Sequence, residues 1–222
     1  MLPGLFEIGI YFIYIVKTAQ RNDPFSLEQI NQKEEIVVKR WWMIDKLSDS
    51  LESSKIDKEI CRKILQDWDR LPQKPKPAER AVWMKKVIDR MDSLLEEEVR
   101  FKIRENCACC VSRGTKRIKT MKKLIKENPN LESFVAAVQD SGFLGAKVEL
   151  KKNTIYATFG VGHCVCTGIN VAKEPISITY CHCCKGHVIK LLEAAFKKPL
   201  RGEVITSCIS GSDDCRFAIH LD

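Results

Sequence analysis

The chain has 222 residues, of which 45% are hydrophobic and 30% are charged. That balance excludes an intrinsically disordered chain, and the length allows one substantial domain or two small ones. A chain of this length also buries enough surface to fold without disulfide bridges. The net charge of +8 leaves an anionic partner open.

An apolar run, LFEIGIYFIYIV, occupies residues 5–16. It is shorter than the roughly 20 residues that a membrane span needs, and Glu7 interrupts it. No basic stretch precedes the run and no small-residue cleavage site follows it, which argues against a signal peptide. We therefore expect a buried first element or a misplaced translation start, and we do not expect a membrane partner.

Residues 24–105 have the pattern of amphipathic helices that bury one apolar face. Ser26 and Gln29 form a capping box, and Pro77 suits the first turn of a later helix, where its missing N–H would be unpaired anyway. We expect that later helix to bury its apolar positions. They are Val82, Trp83, Val87, Ile88, Met91, Leu94, Leu95 and Val99. The pattern predicts an N-terminal helical region over residues 1–105.

The remaining residues, 106–222, predict a cysteine-rich α/β domain that binds a metal and a ligand. The expected helices are 115–127, a short one that Asn130 caps and that runs to about 141, and 185–197. The expected strands are two within 145–159 around a turn at Lys152 and Asn153, then 176–180, 202–209 and 215–221. The predicted class is α+β, with the helical region followed by an antiparallel sheet and packed helices. The helix at 115–127 is basic but carries no interleaved aromatic residues, so we interpret it as a solvated face and do not expect nucleic acid as a partner.

Ten of the eleven cysteines follow residue 100, and eight of those ten lie in three tight groups. Complete pairing within one chain is impossible for an odd number, and immediate neighbours rarely meet the geometry of a disulfide. Thiols that remain reduced are typical of a reducing compartment, so we expect a cytoplasmic protein.

Zinc and iron–sulfur centres use soft thiolates, contributed as close pairs from separate chain segments. The pairs here lie within 107–110, 164–166 and 181–184, and a pair two residues apart on a strand points both sulfurs to one side. The alternative is that the thiols pack as small hydrophobic side chains, which the residues alone favour for the isolated Cys61, Cys208 and Cys215. We predict zinc, or alternatively an iron–sulfur cluster. The candidate ligands within the close groups are Cys109, Cys110, Cys164, Cys166, Cys181, Cys183 and Cys184.

His163 and His187 flank these groups and are candidate catalytic bases. Three functions stay open. The first is a metal-binding protein that binds or senses a small molecule in an α/β pocket, with a possible homodimer. The second is a metal-dependent hydrolase of a small thiazoline- or amide-like substrate, in which an open metal position activates water. The third is an iron–sulfur redox protein, and whether the protein is an enzyme at all stays open too.

The C-terminal half of the chain resembles a known family, and the resemblance is clearest near the end. The segment CHCCKGHVIKLLEAAFKKPLRGEVITSCISGSDDCRFAIHL, residues 181–221, is similar to the end of the 4-vinyl reductase domain and of the related L-2-amino-thiazoline-4-carboxylic acid hydrolase-like family. The cysteine pairs look like those of an uncharacterised cysteine-rich subgroup. The resemblance implies an antiparallel sheet that encloses a small ligand. It also implies Cys208 and Cys215 as zinc ligands with Glu203 near them, although Glu203 lies five residues before Cys208 where a shorter spacing is expected.

Overall fold

A computed structural model describes residues 40–108, 115–166 and 169–222, which belong to one compact unit, Lys39–Asp222. The apolar run at 5–16 and the capping box of Ser26 and Gln29 lie outside the described residues. The described part confirms the α+β class, with seven α-helices and a four-stranded antiparallel sheet. The division at residue 105 stays a prediction.

Residues 40–108 form four helices. They are α1 Trp42–Ser53, α2 Lys58–Ile64, α3 Pro77–Leu94 and α4 Glu97–Asn106. Pro77 is the first residue of α3, as predicted. The break after Leu94 gives Val99 to a different helix, and Leu94, Val99 and above all Val82 (61% exposed) are not buried. The expectation of burial was wrong for these three, because Trp83, Val87 and Met91 form the inner face of α3.

Two further helices and a hairpin follow as the sequence predicts. They are α5 Lys116–Glu127, α6 Leu131–Ser141, β1 Lys147–Lys151 and β2 Thr154–Val161. The side chain of Asn130 accepts hydrogen bonds from the N–H groups of Glu132 and Ser133, which satisfies two donors at the start of α6. Lys152, with a φ of 53°, makes the turn between the two strands.

The chain departs from the prediction at 176–180. No strand forms there; a short 3-10 helix, Ile178–Cys181, leads directly into α7, His182–Phe196. Burial explains the difference, because ten of the 15 residues of α7 are buried and a helix satisfies its own backbone groups in such a place. The cysteines of 181–184 therefore lie on the start of a helix.

Strand β3, Arg201–Thr206, and strand β4, Asp214–His220, complete the sheet, whose order is β1-β2-β4-β3. Strand β3 stops short of the expected residue 209, because a 3-10 turn, Cys208–Ser210, interrupts it. Irregular pairing occurs at one end of the sheet on both sides of β4, between Phe159 and Val161 and between Val204 and Thr206. Such bulges bend a strand and redirect the chain that leaves it.

Helix α7 is the central element of the described part. It packs on β3 and β4 on one side and on α4 and α5 on the other. At Gly186 a Cβ atom would lie 2.1 Å from the carbonyl oxygen of Glu105, so α4 can cross α7 this closely only at a glycine. One apolar cluster lies between the sheet and α5–α7, and a second lies among α1–α4 and the segment that precedes α7. None of the described helices combines the length and the apolar character that a bilayer crossing requires.

Candidate metal centre

Two connections meet at the irregular end of the sheet. The backbone N–H of Gly162 donates to the carbonyl of Asp213 at 2.7 Å, which joins the loop after β2 to the start of β4. Gly160 has a φ of 56°, and a Cβ there would lie 2.5 Å from the carbonyl oxygen of His163, so this tight turn requires glycine. The turn delivers His163 and Cys164 beside the β3–β4 connection.

Three sulfurs reach that connection through short contacts. The N–H of Cys208 donates to the Sγ of Cys215 at 3.4 Å, across the turn between β3 and β4. The Sγ of Cys181 lies 2.8 Å from the hydroxyl of the buried Ser207. Cys208 also contacts the carbonyl of Gly160 through its Sγ, at 3.9 Å. The start of α7 and the two ends of the β3–β4 turn therefore bring their thiols together.

Cys164 shares this neighbourhood. Burial raises the pKa of Cys164 to about 11, and the nearby thiols of Cys166, Cys215 and Cys208 add to the increase. Burial likewise raises the pKa of Cys181 to about 12, with further contributions from Cys215 and Cys164. Four sulfurs from separate segments thus lie close enough to disfavour one another's ionisation. We call Cys164, Cys181, Cys208 and Cys215 the sheet-end group.

The four thiols of the sheet-end group do not surround a common point. Over residues 40–108, 115–166 and 169–222, no three His, Cys, Asp or Glu side chains stand in a geometry ready to hold a metal ion. Closing the sheet-end group on an ion needs side-chain rotation, which is inexpensive for cysteine because the side chain has a single χ angle. The chemistry of the donors fits zinc or an iron–sulfur cluster, since both take four thiolates.

A second set of sulfurs surrounds a buried arginine. Cys107, Cys166 and Cys183 each lie near enough to Arg104 to favour its charged form. We call these three thiols the Arg104 group. One sulfur comes from each of the three segments in which the sequence places its cysteine pairs. Cys107 was not among the expected ligands. The sequence also gave no indication that Arg104 is buried, because an arginine on an amphipathic helix is usually exposed.

The strand rule applied to 181–184 was wrong. On a helix, neighbours two apart point in different directions, and so Cys181 faces Ser207 while the Sγ of Cys183 donates to the carbonyl of Cys107 at 3.4 Å. Cys184 packs against the cluster beneath the sheet. The expected ligands Cys109 and Cys110 lie outside the described residues.

The histidines have contrasting surroundings. His163 is exposed, in the loop immediately before Cys164. His187 is buried, with its Nε2 3.4 Å from Arg117 and its ring 6.1 Å from that of Phe159. A general-base role for either stays a prediction, and the adjacency to Cys164 favours His163 over His187.

The carboxylate implied by the family resemblance is engaged elsewhere. Glu203 lies on β3 opposite Ala218, exposed, with an oxygen 3.3 Å from the Nε2 of His220. Two shallow depressions occur on the surface of the described part, and neither is bordered by a cysteine. They are lined by Glu193, Lys197, Lys198 and Pro199, and by Arg201, Gly202, Glu203, His220 and Asp222. The ligand pocket expected from the sequence stays a prediction.

Comparison with known proteins identifies the family to which the chain belongs. No curated protein matches the chain, and no solved structure matches it. One family profile matches residues 44–222, a span that contains the sheet-end group, the Arg104 group and all of the described helices but the first two residues of α1. The chain therefore belongs to the family of unknown function designated DUF6144.

Proposed function

We propose that the protein binds a metal through thiolates, with the sheet-end group as its ligands and zinc as its ion. The centre would organise a site for a small molecule that the protein binds or senses. A reducing, cytoplasmic setting suits this function, because thiolate ligands must stay reduced.

The observation that supports the proposal is that four thiols from three segments (the loop after β2, the start of α7 and the β3–β4 turn) lie near one end of the sheet. Cys181 reaches the β3–β4 connection through Ser207, while Cys208 and Cys215 contact each other across it. Four soft ligands are the number that a structural zinc site requires. A centre there would tie α7, the loop after β2 and the β3–β4 turn together, so part of the binding free energy would stabilise the fold.

The same four thiolates suit an iron–sulfur cluster, and that redox function is the alternative. The two differ in composition: a brown protein with iron and acid-labile sulfide favours the cluster, whereas a colourless one with zinc favours the proposal. A metal-dependent hydrolase is a further candidate, supported by the exposed His163 next to Cys164. In that case His163→Ala would abolish hydrolysis while metal content stays unchanged.

The proposal is tested on the full chain purified without oxygen. Elemental analysis of the wild type should find metal, and the double variant Cys208→Ser with Cys215→Ser should lose the metal of this centre. Cys61→Ser is the matched control, because Cys61 lies apart on α2 with its Sγ near the carbonyl of Ile56. Equal metal content in the double variant, the control and the wild type would reject the sheet-end group as ligands.

The small-molecule part of the proposal and the possible homodimer rest on the sequence and its resemblance alone. A thermal-shift screen of thiazoline carboxylates and small amides against metal-loaded protein addresses the first, since a ligand that binds only the native state raises the unfolding temperature. Sedimentation of the same sample addresses the second.

A further inference from the structure

Helix α5 carries most of the net positive charge of the chain. It holds six cationic side chains and one acid, Glu127, and therefore supplies five of the chain's eight net positive charges. Arg117 is engaged locally, with its Nη1 3.4 Å from the Nε2 of His187 and its guanidinium carbon 5.9 Å from the centre of the Phe143 ring. The other five cations are exposed lysines, which we call the α5 lysine face. They are Lys116, Lys119, Lys122, Lys123 and Lys126.

The packing of α5 aligns these lysines. At 3.6 residues per turn, all five lie within about a third of the helix circumference, along about 15 Å of its axis. The opposite side holds the fully buried Met121, and beside it Ile118, Leu124 and Ile125 pack against the apolar cluster beneath the sheet. The apolar side of α5 is thus used within the protein, and every exposed residue of this helix is charged.

The α5 lysine face lowers the stability of its own helix. Lysines three and four positions apart repel each other, and Lys119 has such neighbours at Lys116, Lys122 and Lys123. The first turn of α5 contains no acidic residue, although the helix dipole favours negative charge there. Within the helix, Glu127 offsets part of this repulsion by pairing with Lys123 at 3.6 Å. A charge pattern that opposes local stability indicates a binding role.

The chemistry of the α5 lysine face distinguishes between anionic partners. A protein interface is anchored by apolar and aromatic side chains and is depleted of lysine, whereas this face is entirely charged. A helix that lies in a membrane surface inserts an apolar side, but the apolar side of α5 is packed inside the protein. Duplex DNA needs no apolar partner, because it presents one phosphate charge per about 1.7 Å of its axis, or about nine along the length of this face.

We propose that the α5 lysine face binds the phosphate backbone of duplex DNA without reading its sequence. Contacts from lysine to phosphate position a protein on a duplex and carry no base information. The sequence led us not to expect nucleic acid, because α5 has no aromatic residues. That reasoning applies to single strands, whose bases stack on aromatic side chains. Duplex RNA is recognised largely through its shape and its 2′-hydroxyls, so a face made only of ammonium groups matches DNA better.

The proposal is tested with full-length protein and a fluorescent DNA duplex, whose anisotropy gives the affinity at about 50 and about 200 mM KCl. Five phosphate contacts give a slope of about −4.5 in log affinity against log salt, so the wild-type affinity should fall about 500-fold over this range. The α5 variant, Lys116→Gln with Lys119→Gln and Lys122→Gln, keeps two contacts and should fall only about 12-fold. At about 50 mM KCl it should also bind at least about tenfold more weakly than the wild type.

A matched control removes the same charge elsewhere. Lys58, Lys74 and Lys86 are exposed on α2, on the linker before α3 and on α3, and their joint substitution by glutamine should leave the wild-type salt dependence unchanged. Equal salt dependence in the wild type and the α5 variant would overturn the proposal, as would no wild-type binding to the duplex at about 50 mM KCl. Tighter wild-type binding to polyglutamate, to an RNA duplex or to vesicles rich in phosphatidylserine would overturn it in favour of another partner.

Thermal unfolding separates lost contacts from a folding defect. Glutamine has nearly the helix propensity of lysine, and the α5 variant removes the repulsive pairs around Lys119 and a cation at the helix start. The α5 variant should therefore unfold about 2–4 °C above the wild type while it binds DNA more weakly. A lower unfolding temperature than that of the wild type would contradict the inference that these lysines oppose the stability of their helix.

Discussion

The sheet-end group and the Arg104 group contain the same side chain in different surroundings. The sheet-end thiols lie at chain connections, where Cys164 and Cys208 are partly exposed and Asp214 is close to Cys208. In the Arg104 group, Cys107 and Cys183 are buried at α4 and α7, next to the Arg104 guanidinium and with Lys46 and Lys190 near Cys107, whereas Cys166 lies partly exposed on the loop after β2. The comparison teaches that cysteines close in sequence can lie in surroundings of different exposure and charge.

The largest expected difference between the two groups is in how readily a thiol reagent reaches their cysteines. In native, metal-free protein, iodoacetamide should modify Cys107 at least about 10³-fold more slowly than Cys208, because Cys107 has no exposed surface and must wait for unfolding that costs several kcal/mol. Peptide mapping of the alkylated protein over time gives both rates. Cys61, partly exposed on α2, is the internal reference. Similar rates for Cys107 and Cys208 would remove the distinction between the groups.

A second prediction concerns the close crossing of α4 and α7. Gly186→Ala places a methyl group 2.1 Å from the carbonyl of Glu105, and backbone cannot yield as a flexible side chain would. The gain in helix propensity is about 1 kcal/mol, whereas forced separation of α4 and α7 should cost about 3 kcal/mol, so the variant is destabilised. Urea unfolding measures this loss of stability.

Gly142→Ala is the control for that variant. No atom lies within 4 Å of a Cβ there, although its φ of 65° favours glycine, so we expect a loss of about 1 kcal/mol. A Gly186→Ala protein that is no less stable than Gly142→Ala would show that the close crossing of α4 and α7 does not constrain the fold.

The last prediction, in which the expected change is gradual with pH, concerns acid stability near the Arg104 group. The ring of His182 stacks on Phe101 with 3.8 Å between centres, and burial lowers the pKa of His182 to about 3. Since the unfolded histidine has a pKa near 6.5, the neutral ring contributes stability above pH 6.5, and this is lost as the pH falls towards 3. The loss should reach at most about 1.4 kcal/mol per pH unit.

His182→Phe keeps an aromatic stack and removes the titration. The free energy of unfolding of the metal-free variant should therefore fall less steeply than that of the wild type between pH 6.5 and 3. Parallel profiles for the two proteins would mean that His182 is solvated enough in the native state to take up its proton there.

The sequence predicted the elements whose signals are local. Asn130 before an apolar run, Pro77 at a helix start and the turn at Lys152 each act through the nearest backbone groups, and the structure has all three in the predicted roles. The segment 176–180 was mistaken for a strand because a short apolar run reads equally well as a strand or a buried helix start. Tertiary packing around α7 decided between them.

The sequence predicted that cysteines form the candidate centre, but it did not predict which cysteines lie close together. Adjacent cysteines indicated thiolate chemistry, yet the partner of Cys181 is set by the β3–β4 turn and that of Cys183 by the end of α4. Such pairings depend on contacts between residues more than twenty positions apart, for which the spacing of one sequence carries no signal. The burial of Arg104 is of the same kind, since it depends on α1, α4 and Tyr180 closing around one side chain.

X-ray absorption at the metal edge of anaerobically purified full-length protein tests the central claim, that thiolates from separate segments converge on a metal. The account predicts a metal whose nearest shell is dominated by sulfur at about 2.3 Å, with three to four sulfurs per zinc. A shell of oxygen and nitrogen at about 2.0–2.1 Å with no sulfur, or a protein that retains no metal, would contradict it.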